Sequence, residues 1–233
     1  MPLLPSNFWN MDGQDLKASK KKVWIETRFL SNPIRDWKKF AITDLACSRA
    51  AVQTHNTIDR YTGTTGTGQF APFNSTVRTY PKDTLLDVYL LVKEEFEKIV
   101  LDCIKSVGLF GFGKDASSGQ GKFELVSSEE VHWNSKAGSY LTLSSSDLSG
   151  MDTVSPTFYK ARTHFGRHGG ISAVANNPFK RPLLLAACAA VITPLDSEAR
   201  DWVGNGISNV SLDYPETVHQ GYAIAYPLGT IQI

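Results

Sequence analysis

KEEFEKIVLDCIKSVGLFGFGKDASSGQGKFEL, residues 93–125, decides how this chain is read. Its first half places Phe96, Ile99, Val100, Cys103, Ile104 and Val107 at steps of three and four, one stripe of an amphipathic helix. Glu94 and Glu95 in the first turn and Lys105 in the last complement the helix dipole, and Gly108 is placed to end the helix in a left-handed conformation. The next sixteen residues, 108–123, hold five glycines, two lysines and two serines. TLLDVYLLV before the helix (84–92) and KFELVS after the glycines (122–127) are short apolar runs with the composition of strands. The predicted order is therefore strand, helix, glycine loop, strand.

That order excludes two familiar chemistries. Walker loops and dinucleotide fingerprints set their glycines after a strand and before a helix, so that the helix N-terminus helps to bind phosphate. Here the glycines follow the helix, no G-x-x-x-x-G-K-[ST] occurs, and Gly111-Phe112-Gly113 lacks the third glycine of G-x-G-x-x-G. Nucleotide hydrolysis and nicotinamide chemistry are not indicated. What remains is a loop whose successive amides can form an anion-binding concavity, with Lys114, Lys122, Ser117 and Ser118 as further donors to phosphate oxygens. The plain alternative is that the glycines only let the chain turn sharply against a neighbouring element.

Working outward, residues 2–21 are rich in Pro, Asn, Gly and Lys and read as an extended, solvated lead-in. KVWIETRF, 22–29, alternates like a half-buried strand. Residues 55–76 lack apolar periodicity yet carry His55, Arg60, Tyr61, Phe70 and Phe73 among threonines and glycines, a projecting loop or irregular hairpin. Aromatic faces beside a cation on such an arm suit stacking against unpaired bases, and a simple surface connection is the competing account. Beyond residue 127, YLTLSSS (140–146), RPLLLAACAAVITP (181–194) and GYAIAYPLGTI (221–231) read as strands, the last with a proline that suits an edge or strand end. A domain boundary is expected at residues 127–139.

The bulk composition sets limits. With 42% apolar and 20% charged residues in 233, the chain is of ordinary globular type, and its net charge of +1 gives no global basic field, so any polyanion contact must be local. Cys47, Cys103 and Cys188 form no C-x-x-C pair and suggest neither a disulfide framework nor a thiolate metal site; a reducing, cytoplasmic setting is expected. MPLLPSNFWNMDG does not resemble a secretory signal, and the longest apolar run, Pro182 to Pro194, is short of the ~20 residues a membrane span needs.

Catalytic patterns are weak. His164 and His168 are four apart, but no glutamate follows His164 and two glycines follow His168, so a helical metal site lacks its geometry and a third ligand. No G-x-S-x-G elbow is present, and Glu129 with Glu130, or Asp147 with Asp152, read as solvated loop charges. No catalytic residue, metal or cofactor is assigned. Lys160, Arg162, His164, Arg167 and His168, packed into nine positions, form a basic cluster suited to secondary RNA contact.

GLFGFGKDASSGQGKFEL resembles the glycine-rich loop of the RAMP proteins of CRISPR systems, and in particular the subunit-four family of type III-A (Csm) effector complexes. KKVWIETRF, HNTIDRYTG followed by GQF, FYKARTHFGRHGG, FKRPLLLAACAAVIT and HQGYAIAYPLGT agree in order, so the resemblance spans nearly the whole chain. It implies an α+β fold of tandem ferredoxin-like (RRM-like) domains, residues 1–130 and 131–233, the first without its initial strand and helix. It implies a non-catalytic subunit that caps the five-prime handle of CRISPR RNA in antiviral defence, docking against a large polymerase-like subunit and a backbone RAMP subunit. His55, Asn56, Arg60, Tyr61 and Phe70 would then belong to an arm that clamps the handle. Gly111, Gly113, Lys114, Ser117, Ser118, Gly119, Gly121 and Lys122 would meet the RNA backbone, with support from Arg162 and Arg167. Two other readings stay open: a metal-independent CRISPR RNA-processing endoribonuclease using His55 as acid or base, and an enzyme of phosphate metabolites using the glycine loop.

Overall fold

The computed structural model describes residues 1–9, 21–43, 48–66, 68–113, 115–133, 136–154, 157–169, 172, 177–196 and 198–229. The fold is mixed α/β, with small antiparallel sheets and few helices. Contacts divide it into two compact units, Met1–Asp87 and Val88–Ile233.

In the first unit, β1 (Lys22–Trp24) pairs with the short β2 (Ile42–Thr43). The strand predicted over 22–29 stops after three residues, because the chain turns into a 3-10 helix at Thr27–Phe29, where the amide of Phe29 donates to the Glu26 carbonyl at 3.0 Å. The predicted solvated lead-in is also corrected at its start. Leu3 donates to Val23 and Ile25 to Met1, both at 2.9 Å, so the first residues lie along β1, and Leu3 and Leu4 are buried with Ile25, Trp37 and Ala41. Trp37 is carried on a 3-10 helix, Ile34–Phe40, and its indole donates to the Asn32 carbonyl at 2.9 Å, which satisfies the buried N–H.

β3 (Arg49–His55) and β4 (Phe73–Thr79) form a seven-residue antiparallel ladder, from Arg49 opposite Thr79 to His55 opposite Phe73. The irregular hairpin expected at 55–76 is thus present, with longer strands than the sequence suggested. Most of its side chains are exposed on both faces.

The second unit contains α1 (Glu97–Phe110), entered through a 3-10 turn at Glu94–Phe96. The predicted helix is found, but Gly108 lies inside it and Gly111, at φ +108°, ends it. Gly108 serves packing instead: a Cβ there would stand 2.4 Å from the carbonyl oxygen of Phe123. The strands predicted at 84–92 and 122–127 are not formed; both segments are irregular, and Leu85 is 75% and Val126 73% exposed. Neither finds a ladder partner among the described residues, and apolar composition cannot replace one. The helical stripe is covered only in part, with Phe96, Ile99 and Val107 exposed and Val100 and Ile104 half-buried.

The core of this unit lies in a four-stranded antiparallel sheet whose strands lie in the order Val191–Ile192 (β8), Ser139–Thr142 (β5), His219–Gly229 (β10) and Trp202–Ile207 (β9). β5 is Ser139–Thr142, as predicted from YLTLSSS. β6 (Ala161–His164) pairs with β7 (Leu183–Ala186) in a separate ribbon. The single strand predicted over 181–194 is two, β7 and β8 (Val191–Ile192), because the chain turns at Cys188 and Ala189, the latter at φ +71°. β9 is Trp202–Ile207 and β10 is His219–Gly229. β10 pairs with β9 up to Ile224 and with β5 from Ala225 onward, so Pro227 has a strand on one side only, as its missing N–H requires. Tyr140, Ile192, Val203, Ala223 and Ala225 form the buried cluster. Among the described residues no helix is long and apolar enough to cross a membrane.

Candidate nucleic-acid interface

The glycine loop follows α1 directly and is built on its own backbone. Phe112 donates to the Gly121 carbonyl at 2.8 Å and Phe123 to Gly108 at 3.2 Å, which pins the two ends together. A 3-10 turn, Ala116–Ser118, fills the tip. Within it Ser118 and Gln120 donate to the Asp115 carbonyl, at 3.0 and 3.3 Å, and Gly119 donates to Ala116 at 2.9 Å.

The glycines fall into two kinds. A Cβ at Gly111 would stand 2.3 Å from the Gln120 oxygen, and one at Gly121 2.0 Å from the Phe112 oxygen, so these two permit backbones to touch. Gly113 and Gly119 also have positive φ, +106° and +85°, yet nothing lies within 4 Å of a Cβ there; they face open space. The turn-making account therefore holds at Gly111 and Gly121, while Gly113 and Gly119 leave a bare backbone surface.

This geometry narrows the donors available to a ligand. The amides of Gly111, Phe112, Ala116, Ser118, Gly119, Gln120 and Phe123 are engaged internally, and the Ser118 hydroxyl donates to the Asp115 carbonyl at 2.8 Å. Among the described residues, the amides of Gly113, Ser117, Gly121 and Lys122 have no partner, and the Ser117 hydroxyl and Lys122 are exposed beside them. Lys114 lies outside the described residues. Phe110 and Phe112, both exposed, flank the loop and offer aromatic faces that the sequence reading did not single out.

In the other unit, the β3–β4 ladder carries the remaining candidates. His55 ends β3; its ring stacks on Phe73 at 5.2 Å and 15°, and its Nε2 lies 2.8 Å from the Ser75 hydroxyl. The bend beyond is fixed by Asp59, whose carboxylate accepts from the Tyr61 amide at 2.8 Å and whose carbonyl accepts from Gly63 at 2.8 Å. Asn56 and Arg60 are exposed, Tyr61 is fully so, and Phe70 is half-buried in the 3-10 turn Gly68–Phe70. The ladder thus brings His55 to Phe73 and leaves Arg60 and Tyr61 at the tip.

Part of the basic cluster lies on a strand, β6. Arg162 sits on β6, its guanidinium donating to the Ser145 hydroxyl at 3.3 Å, and Arg167 lies 5.6 Å over the Phe179 ring. His168 is held by Ser211, 2.9 Å from its Nε2, and by an edge contact with Tyr214. His164 and His168 are therefore directed to different partners, and among the described residues no three His, Cys, Asp or Glu side chains gather to hold a metal. Cys103 and Cys188 are free thiols, and Cys47 lies outside the described residues. Sequence reasoning missed β3 and with it the His55–Phe73 pairing; the alternation of Val77 and Thr79 in FNSTVRT was the available sign of a strand seeking a partner. No family model matches this sequence, and no curated protein is similar to it.

Proposed function

We propose that this chain is a non-catalytic RNA-binding subunit of a type III-A CRISPR effector complex, a RAMP protein resembling Csm subunit four that caps the five-prime handle of CRISPR RNA. The observation that carries the reading is the loop after α1. Gly113 and Gly119 expose bare backbone, unspent amides at Gly113, Ser117, Gly121 and Lys122 lie beside it, and Phe110 and Phe112 stand exposed at its base. Amides, a hydroxyl and an ammonium contact phosphates without regard to base, and the phenyl rings can stack on splayed bases. The β3–β4 arm, with Arg60 and Tyr61 at its tip, is the second contact. Tandem ferredoxin-like domains, 1–130 and 131–233, cytoplasmic residence, and docking to a large polymerase-like subunit and a backbone RAMP subunit belong to the same proposal.

A handle oligonucleotide measured by fluorescence anisotropy across a salt series tests it. Lys122→Gln is expected to weaken binding and to lower the salt slope by about 0.7, the value for one phosphate contact on a single strand. An unchanged slope and affinity would refute the loop's role. Cleavage of precursor RNA that disappears in His55→Ala would instead establish the endoribonuclease reading.

A further inference from the structure

β6 and the start of β10 bring together two histidines from distant parts of the chain. The rings of His164 and His219 lie 4.8 Å apart, tilted by 33°. Lys180 stands beside them on the return from the bend that follows β6. There its amide donates to the Gly166 carbonyl at 2.9 Å, and a Cβ on Gly166 would stand 3.1 Å from Lys180 Cδ and 3.5 Å from His164 Nε2. Gly166 thus lies against both the lysine stem and the imidazole, and a side chain there would press on the lysine stem. All three side chains are half-buried, and among the described residues none of them has a hydrogen-bond or ion-pair partner.

Among the described residues the surroundings supply no counter-charge. Burial holds His219 below its ordinary value, and the positive charges of His164 and Lys180 lower it further; no carboxylate acts on it. On β9, the residues beside it are Ile207 and Gly206. Nearby cations are turned elsewhere: Arg162 to Ser145, Arg167 to Phe179 and His168 to Ser211. Asp213 and Glu216, on the turn before β10, are exposed and take no part in a described ion pair. Three groups able to be cations, gathered without an acid, form a site that an anion would relieve.

We propose that His164, His219 and Lys180 bind a phosphate group, with both imidazoles protonated in the bound state. Two imidazolium N–H groups and an ammonium match the oxygens of a phosphate as charge-assisted donors. A metal ion fits poorly, because an ammonium cannot ligate it and repels it. Since a bound anion favours the imidazolium that burial and the neighbouring charges disfavour at His219, binding couples to proton uptake and tightens as pH falls. The phosphate comes either from an RNA backbone, in which case the site rests on the function proposed above and extends it, or from a free phosphate or phosphomonoester.

Histidine-labelled full-length chain, followed by NMR, tests this directly. Inorganic phosphate and a short single-stranded RNA are titrated separately at about pH 6 and about pH 8, the pair around the ordinary histidine value. The imidazole signals of His164 and His219, assigned from His164→Gln and His219→Gln spectra, are expected to move, with affinity about tenfold higher at the lower pH. Lys180→Gln should weaken the response about fivefold or more. Saturation by inorganic phosphate assigns the site to a free phosphate; a response to RNA alone assigns it to a strand backbone. A phosphate response that persists in Lys122→Gln, even if that variant loses RNA, leaves this site standing apart from the loop. Signals of His164 and His219 that remain still with both probes at about pH 6 would overturn the inference, whatever the loop variants do.

Discussion

The four-stranded sheet and the helix α1 belong to the same unit, and both draw on apolar stretches, yet they differ in burial. Tyr140 and Ile192 are 0% exposed, whereas Ile99 is 61% exposed. β5 has a strand on each side, β8 and β10, and every backbone group in it can be satisfied while its side chains pack. The segments flanking α1 have no such neighbour among the described residues, and the apolar face of the helix is left partly uncovered with them. A ladder, more than local hydrophobicity, separates the core of this unit from its surface.

Hydrogen exchange should sharpen that contrast most. Amides of Leu141, Thr142 and 223–226 are expected to exchange about a thousandfold or more slowly than those of 85–91 and 124–131, as read by mass spectrometry. Equal protection would mean that the flanking segments are paired in solution and the contrast is void. Truncation follows. Ile192→Ala should cost about 2–5 kcal/mol in a denaturant titration, while Ile99→Ala should stay within about 0.5 kcal/mol of the parent chain. A large loss at Ile99 would show α1 to be covered after all.

Smaller effects separate the two kinds of loop glycine. Gly121→Ala meets both a left-handed φ of +70° and the Phe112 oxygen, and should open the loop and expose the Phe112 amide to exchange. Gly113→Ala meets only the unfavourable φ, a cost of about 1 kcal/mol, and should leave that amide bonded to Gly121. The slightest effect concerns pH. Because the folded-state pKa of His219 is lowered, the unfolded chain binds more protons near it, so the associated stability is present above the ordinary value of 6.5 and is lost as pH falls. Thermal melts at pH above and below that value should show a decline that His219→Gln abolishes; a decline of the same size in the variant would assign it to other groups.

Which parts were legible follows from the same physics. β5 and β10 announce themselves by apolar, β-branched or aromatic runs, and the one-sided pairing of Pro227 was readable from the proline alone. β9 was not, because Gly204 and Gly206 dilute its pattern; at Gly204 a Cβ would stand 2.1 Å from the Gly221 oxygen, a requirement set by the close approach of β10. The helix was readable from its stripe, but its end was misplaced by three residues, Gly108 for Gly111, since one glycine is needed for packing and the other for the turn. The glycine loop could be located but its donors could not, because which amides are spent depends on how the tip folds. His164 and His219 could not be joined at all without the fold, because β6 and β10 lie in different sheets and meet only through packing.

The arm has a practical consequence. Arg60 precedes the fully exposed Tyr61 at its tip, and seven paired residues on each strand hold the arm together below that point. A single tryptic cut after Arg60 would therefore yield a nicked chain whose two pieces stay joined through the ladder. Such a preparation would interrupt the tip without any substitution, so that the proposed RNA contact could be tested on intact and cleaved protein from one sample.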